Sequence, residues 1–161
     1  MSIWAAIAGG FAGTLLLTTI IRAAAELGLT RMDLPFLLGT AFTADRIRAT
    51  AIGYLLHFVS GLIFALVYYG IFVAIDAKGW WLGAVFGLAH GLFAGTALVN
   101  ILLPVFHPRM GNSGTAAGGR VALLEPPGFM MLNYGPRTPL VTLVAHIAYG
   151  AVVGGFVGLG S

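Results

Sequence analysis

The chain has no cysteine and very few charged residues. The absence of cysteine among its 161 residues excludes disulfides, thiolate metal sites, iron–sulfur clusters and covalently attached haem. Charged side chains make up only 8% of the sequence, far below their share in soluble domains. Familiar catalytic motifs are missing as well: there is no glycine-rich phosphate loop, zinc-protease helix or nucleophile–histidine–acid set. The sequence therefore predicts no catalytic residue and favours a protein that is not an enzyme.

Long apolar stretches take the place of the missing charges. Residues 1–21, 49–75, 79–108 and 138–161 contain no Asp, Glu, Lys or Arg, and each is long enough to cross a bilayer, which takes about 20 residues. Mean hydropathy is +0.98. We predict an all-α integral membrane protein, a single domain over 1–161, whose four transmembrane helices contact lipid. The net charge of +3 comes from single basic residues beside these spans, so no nucleic-acid partner is expected.

Basic residues are divided unevenly between the two sides of the membrane. With four spans, the two termini share a side with the short turn that holds Lys78. Six arginines fall in or beside the two long loops on the other side, at positions 31, 46, 48, 109, 120 and 137. Positive charge stays in the cytoplasm. We therefore predict a multi-pass protein of the plasma membrane (the inner membrane of a bacterium), with the long loops cytoplasmic and both termini outside.

The two halves of the chain share a pattern. The tetrapeptide "FAGT" occurs at residues 11–14 and again at 93–96. More specifically, "RATAIGYLLHFVSG" and "RTPLVTLVAHIAYG" both read Arg, eight residues, His, three residues, Gly, at positions 89 apart. We interpret this as two parallel span–loop–span repeats, about 1–76 and 79–161. A pseudo-twofold axis along the membrane normal would relate them.

The repeated histidines, His57 and His146, are the first candidate site. Each lies nine residues from its arginine, Arg48 or Arg137, which is about 13 Å along a helix and well inside the hydrocarbon. An ionisable residue at that depth is a functional candidate by default. One hypothesis is axial ligation of a b-type haem, with the two arginines neutralising its propionates.

Gly61 and Gly150 follow these histidines by one turn. They would leave room for the flat macrocycle beside each imidazole. A single transition-metal ion is an alternative, with His90 of the third span as a further ligand. A third interpretation is structural, since neutral histidines can hydrogen-bond across a helical bundle. The residues leave all three open, and the cofactor stays unknown.

Small residues line the third span at every fourth position, in the order Gly83, Gly87, Gly91 and Gly95. Such a row lets another helix approach closely, but it does not say whether that helix belongs to this chain or to another. Tyr68 and Tyr69, together with the tryptophans beside Lys78, are expected to form an aromatic belt at the membrane interface.

Both long loops contain apolar stretches too short to span. "PFLLGTAF" in the first loop and "VALLEPPGFMMLNYG" in the second predict interfacial or re-entrant segments. His107, which follows the third span between two prolines, is expected to lie in solvent.

One stretch resembles known proteins. "LGTAFTADRIRATAIGYLLHFVSGLIFALVYYG" resembles segments of small four-span bacterial membrane proteins that have no assigned activity. The resemblance covers about a fifth of the chain; it implies the four-helix topology and carries no activity with it.

Three functions remain open. The first is a non-catalytic membrane subunit that packs through its glycine faces, as a homo-oligomer or in a larger complex, and holds haem or another ligand between His57 and His146. The second is a b-type haem electron-transfer protein, and the third is a small oligomeric transporter or channel. We favour the first, because no span has an internal proline and few polar residues could line a pore.

Overall fold

A computed structural model describes residues 1–110 and 124–160. Four of its helical segments are long and apolar enough to cross a membrane. They are Ile3–Glu26 (α1), Arg46–Ala74 (α3), Trp80–Phe106 and Thr138–Leu159 (α6). The predicted all-helical fold with four helices of membrane-spanning length and hydropathy is therefore confirmed, and each helix lies within a few residues of the charge-free stretch that predicted it.

The third span changes its helical pitch on the way across. It begins as the α-helix Trp80–Phe93 (α4), continues as a π-helix over Ala94–Leu102, and ends as the short helix Leu103–Phe106 (α5). In a π-helix each N–H bonds to the carbonyl five residues back, a rare geometry that is frequent at functional sites. The Asn100 side-chain amide adds a donor to these carbonyls, at 3.0 Å from Gly95 O and 3.0 Å from Thr96 O.

The first long loop contains a short helix, Leu34–Gly39 (α2). Asp33 caps it by accepting from Phe36 N at 3.0 Å. The helix packs closely on the first turns of α3, where Gly39 leaves no space for a side chain against Ala49 and Gly53 leaves none against Pro35. α2 lies where the sequence predicts an interfacial or re-entrant segment; entry into the bilayer stays a prediction.

The second long loop is described from Leu124 onward, and the first part of its predicted interfacial stretch lies outside the described residues. A 3₁₀-helix, Phe129–Tyr134, precedes α6. The loop is tied to the first one by a Thr30–Thr138 hydroxyl pair at 2.7 Å and by Arg31 N donating to Tyr134 O at 2.7 Å. Burial, reinforced by the Glu125 carboxylate and opposed by Arg31, raises the pKa of Tyr134 to about 12.

His107 joins α2 to the end of the third span. Its imidazole is 3% exposed, so the expectation that it lies in solvent is wrong. Arg109 N donates to Nδ1 at 3.3 Å, which leaves Nε2 protonated and donating to Leu37 O at 3.0 Å. The Thr40 hydroxyl lies 3.2 Å from the same Nε2. The two loops thus close the loop side of the bundle together.

α6 is the central helix of the bundle, packing extensively on α1 and on α4. Its face toward α1 carries a buried stripe at every fourth residue, listed in order as Val141, Ala145, Tyr149, Val153 and Val157. The glycines of α1 receive this stripe, because a side chain at Gly9 would meet Val153 and one at Gly13 would meet Tyr149.

α3 and α4 are held apart by aromatic side chains. Their main chains make little direct contact, and the space between them contains the ring pairs Phe72–Phe86 at 5.3 Å and Tyr68–Phe86 at 5.7 Å. The predicted pseudo-twofold axis would make α3–α4 the counterpart of the close α1–α6 contact. The two contacts differ in kind, and the repeat stays a prediction.

Candidate ligand-binding site

A cavity of about 340 Å³ lies where α3 and the third span are held apart. α1 and α6 form its floor, and α2 and α5 close it on the loop side. Most of its lining is aliphatic or aromatic. The polar side chains in the lining are Thr14, His57, Ser60, His90, His146 and Tyr149, and no charged side chain of the described residues borders it. The cavity therefore gathers all three histidines that the sequence places inside the spans.

His146 donates its Nδ1 proton to its own helix. Nδ1 lies 2.8 Å from Thr142 O, and a carbonyl oxygen can only accept, so the proton is on Nδ1. In the neutral imidazole Nε2 is then a bare acceptor. The ring is 7% exposed, and its remaining access is to the cavity that it lines.

His90 is fixed by three neighbouring rings. It stacks on Phe64 with centroids 3.8 Å apart, and it meets His146 edge to face at 4.7 Å. Its Nδ1 lies 3.2 Å from the Tyr68 hydroxyl. That hydroxyl has no other hydrogen-bond partner in the part of the chain that the structure describes, so we assign the tautomer in which its proton is donated to Nδ1 rather than left unused. With this assignment the free donor of His90 is Nε2–H.

His57 differs from the other two. It is 9% exposed and lines the cavity, yet its imidazole makes no hydrogen bond to any described residue. No fully buried side-chain nitrogen or oxygen of the described residues lacks a partner, so the ring nitrogens of His57 remain accessible from the cavity or from the small pocket beside Arg22. His57 is thus the one intramembrane histidine with neither ring nitrogen bonded to a described residue.

Neighbouring helices occupy the side-chain positions of both glycines named in the haem hypothesis. Gly61 packs against Thr14 of α1, and its carbonyl accepts from the Tyr149 hydroxyl at 2.6 Å. Gly150 packs against Gly83 and Gly87 of α4. Of the two, Gly61 also borders the cavity, whereas Gly150 does not.

The other elements of the cofactor hypotheses are not brought together either. Arg48 and Arg137 are exposed residues at the helix ends and do not line the cavity. Within residues 1–110 and 124–160, no group of three or more His, Asp or Glu side chains is arranged to hold a metal ion. His57, His90 and His146 share a cavity, but Nδ1 of His90 and Nδ1 of His146 are already hydrogen-bonded.

The glycine row of the third span faces this chain and sets the position of His90. Gly83 and Gly87 leave no space against main-chain atoms of α6, and a side chain at Gly91 would lie 3.1 Å from His146 Cβ. A side chain at Gly95 would lie 2.8 Å from the sulfur of Met130 in the 3₁₀-helix. This close approach brings His90 against His146, and it leaves the row covered.

Three aromatic residues of the site were not predicted. Tyr68, expected in an interfacial belt, is 4% exposed and bonds His90. Tyr149 joins α6 to α3, and Phe64 stacks on His90. Spacing was the available signal: Phe64, Tyr68 and the buried Phe72 recur every four residues on one helix face.

No protein-family model matches the chain, and no curated protein and no solved structure shows significant similarity to it. The functional argument therefore depends on the geometry of this cavity.

Proposed function

We propose that the protein is a non-catalytic membrane protein that holds a small lipid-soluble ligand in the cavity between α3 and the third span. The observation that carries the proposal is His57, a buried imidazole without a hydrogen-bond partner among the described residues, in the wall of an apolar cavity of about 340 Å³. That volume lies within the range of small-molecule sites, about 300–1,000 Å³.

The interpretation that the histidines only hydrogen-bond within the helical bundle accounts for two of the three. His146 and His90 have partners in Thr142 and Tyr68, as interhelical or intrahelical bonding requires. A histidine kept only for bundle stability is expected to bond to a neighbouring helix, because its nitrogens would otherwise depend on whatever enters the cavity. His57 has none, which favours a ligand that supplies one.

The transporter alternative has less support. A layer of rings, Tyr68, Phe72 and Phe86, fills the space between α3 and α4 beyond the cavity, on the side of the Lys78 turn. A site closed at one end favours holding a ligand over passing it across the membrane. We keep the orientation with both termini outside as part of the proposal.

Association with a second copy or a larger complex also belongs to the proposal. It would use a surface other than the glycine row, because α6 covers Gly83 and Gly87 and Met130 lies against Gly95. The lipid-facing side chains of α3, such as Leu55 and Ile63, remain exposed for such a contact.

The test compares one substitution at two positions of the third span. Ala94 is buried and lines the cavity, whereas Ala89 is exposed on the outer face of α4. The wild type, Ala94→Leu and Ala89→Leu are purified in the same detergent, and their organic extracts are compared by mass spectrometry. We expect the wild type and Ala89→Leu to retain a molecule whose amount falls about tenfold in Ala94→Leu. That factor corresponds to a loss of about 1.4 kcal/mol of binding free energy when the larger side chain enters the cavity.

Equal extracts from all three proteins, containing only bulk lipid, would overturn the proposal. An absorption spectrum of the same samples, oxidised and then reduced, tests the haem alternative. A Soret band that shifts on reduction and is lost in His57→Ala would replace the proposal by electron transfer.

A further inference from the structure

We infer that the ligand of this cavity is a flat, uncharged ring that carries oxygen substituents and a hydrocarbon tail, the chemistry of a lipid quinone. The inference rests on the proposed function and names the class of molecule. Four features of the lining lead to it: its lack of charge, its hydrogen-bonding groups, its aromatic walls and its size.

The absence of charge in the lining excludes ionic head groups. Fatty acids and phospholipids carry a carboxylate or a phosphate, and a buried anion requires a cation or several donors. The described residues place no Arg or Lys around the cavity. Arg22 of α1 borders a separate small pocket that shares His57 with the cavity, but its side chain is half exposed and paired with Glu26; Arg46 and Arg48 of α3 are exposed at its first turn. The polar part of the ligand is therefore neutral.

The histidines provide hydrogen bonds for oxygen atoms on a ring. His90 has Nε2–H as its free donor, because the Tyr68 hydroxyl donates to Nδ1, and a carbonyl oxygen accepts such a proton. His57 has both nitrogens without a protein partner in the described chain and can donate to a second oxygen. His146 offers a bare Nε2 that would accept from a ring hydroxyl in the reduced form of the same molecule.

The walls of the cavity are suited to a flat ring. Phe64, Phe106, Tyr149 and the three imidazoles all border it. Phe64 and His90 already stack at 3.8 Å with an interplanar angle of 29°, and offset-stacked or edge-to-face aromatic pairs gain stabilisation beyond the area that they bury. A linear alcohol would use neither arrangement.

The size and the mouth of the cavity match a ring whose tail remains in the membrane. The cavity of about 340 Å³ lies at the lower end of the range of small-molecule sites, about 300–1,000 Å³, which suits a single substituted ring. Ser60, Leu102 and Phe106 line it and are also exposed on the outside of the bundle. The opening therefore faces the hydrocarbon, where a tail would lie.

The experiment uses the full chain in nanodiscs of zwitterionic phospholipid and a benzoquinone with a ten-carbon tail as the probe, because quinones quench tryptophan fluorescence. None of Trp4, Trp80 and Trp81 borders the cavity. Phe106→Trp places a reporter in the lining, and Phe93→Trp places a matched reporter on the same span outside it. We expect saturable quenching of the first reporter at a quinone-to-lipid ratio at least tenfold below that needed for the second.

His57 variants test the hydrogen bond in the Phe106→Trp background. His57→Phe is expected to raise the half-saturating ratio about tenfold, and His57→Gln, which keeps a donor, less than threefold. Far-UV circular dichroism and gel filtration confirm that each variant is folded. If His57→Phe does not fold, wild type is compared with His57→Gln and Ala94→Leu instead, and Ala94→Leu is expected to raise the half-saturating ratio about tenfold.

Competition separates the ligand classes. Decanol and decanoic acid at tenfold excess are expected to leave the quenching unchanged. Displacement by decanol would overturn the ring, and displacement by decanoic acid would overturn the neutral head group. In both cases the proposed function would survive, because the cavity would still hold a ligand. Identical, non-saturating quenching of both reporters would overturn the quinone class; the extract comparison at Ala94 then decides separately whether the cavity holds any ligand.

Discussion

A methyl group at Gly83 provides a direct test of the contact between α4 and α6. A Cβ built on Gly83 would lie 2.9 Å from the Gly150 carbonyl carbon and 2.9 Å from Gly154 Cα, and nearer still to Gly150 O. These are main-chain atoms of a helix, so none of them can rotate away. Ordinary contacts of a Cβ begin at 3.4 Å, so in Gly83→Ala the two helices must separate by at least about 0.5 Å. A gap of that size already forfeits about a quarter of the dispersion energy of each atom pair.

The magnitude follows from two opposing effects. Overpacking of a close contact costs about 1–3 kcal/mol, and replacing glycine by alanine inside a helix returns about 1 kcal/mol. Gly70 of α3 supplies the control, because a Cβ there meets nothing within 4 Å. We expect Gly70→Ala to be as stable as the wild type or more stable by up to about 1 kcal/mol. Gly83→Ala should be less stable than Gly70→Ala by about 2 kcal/mol.

Unfolding of detergent-solubilised protein by increasing fractions of SDS, followed by far-UV circular dichroism, gives the free energies of unfolding. Gly91→Ala should fall between the two, because its nearest neighbour is the His146 side chain at 3.1 Å. The argument would be refuted if Gly83→Ala and Gly70→Ala agreed within about 0.5 kcal/mol, the scatter typical of surface substitutions.

Three further predictions concern the cavity floor, the loops and the orientation. Tyr149→Phe removes the 2.6 Å bond to Gly61 O and should lower the free energy of unfolding by about 1 kcal/mol, measured in the same SDS titration; an unchanged midpoint would contradict it. Thr138→Val leaves the buried Thr30 hydroxyl without its 2.7 Å partner and should cost about 1–3 kcal/mol, visible as a lower melting temperature. Lys78 is the only lysine of the chain, and an impermeant amine reagent should label it on intact cells; labelling only after permeabilisation would reverse the predicted orientation.

Much of the fold could be predicted because charge alone marks the ends of membrane spans. Arg46, Lys78 and Arg137 lie next to helix ends in the structure, as expected because a charged side chain is costly and rare in hydrocarbon. The equal depth predicted for His57 and His146 came from their equal distance in residues from an arginine, multiplied by the helical rise per residue. The span ends and this depth can both be predicted without knowing which helix packs against which.

The neighbour that packs against each glycine could not be predicted in the same way. Gly61 and Gly150 were expected to leave space for a cofactor, but Thr14 and the main chain of α4 occupy it. A glycine in a membrane helix permits close approach of any neighbour, and van der Waals contact decides which one comes. Which neighbour packs there depends on the arrangement of all four helices and cannot be read from the local sequence.

The π-helix illustrates a different limit. Residues 94–102 read as ordinary apolar span, and the amide of Asn100 is the one local feature that reaches back five residues, to Gly95 O. A single side chain is too weak a signal to predict nine residues of altered pitch. Its effect on the site is large, since Ala94, Leu98 and Val99 of this segment line the cavity.

If the cavity binds a ligand as proposed, the lateral opening at Ser60, Leu102 and Phe106 makes that binding an exchange with lipid. Acyl chains can enter a site open to the bilayer when the ligand is absent, so each binding event would return a lipid segment to the membrane. Affinity then depends on the mole fraction of ligand in the lipid phase, and its aqueous concentration is irrelevant. Chain length and unsaturation of the surrounding phospholipids would consequently tune occupancy without any change in the protein.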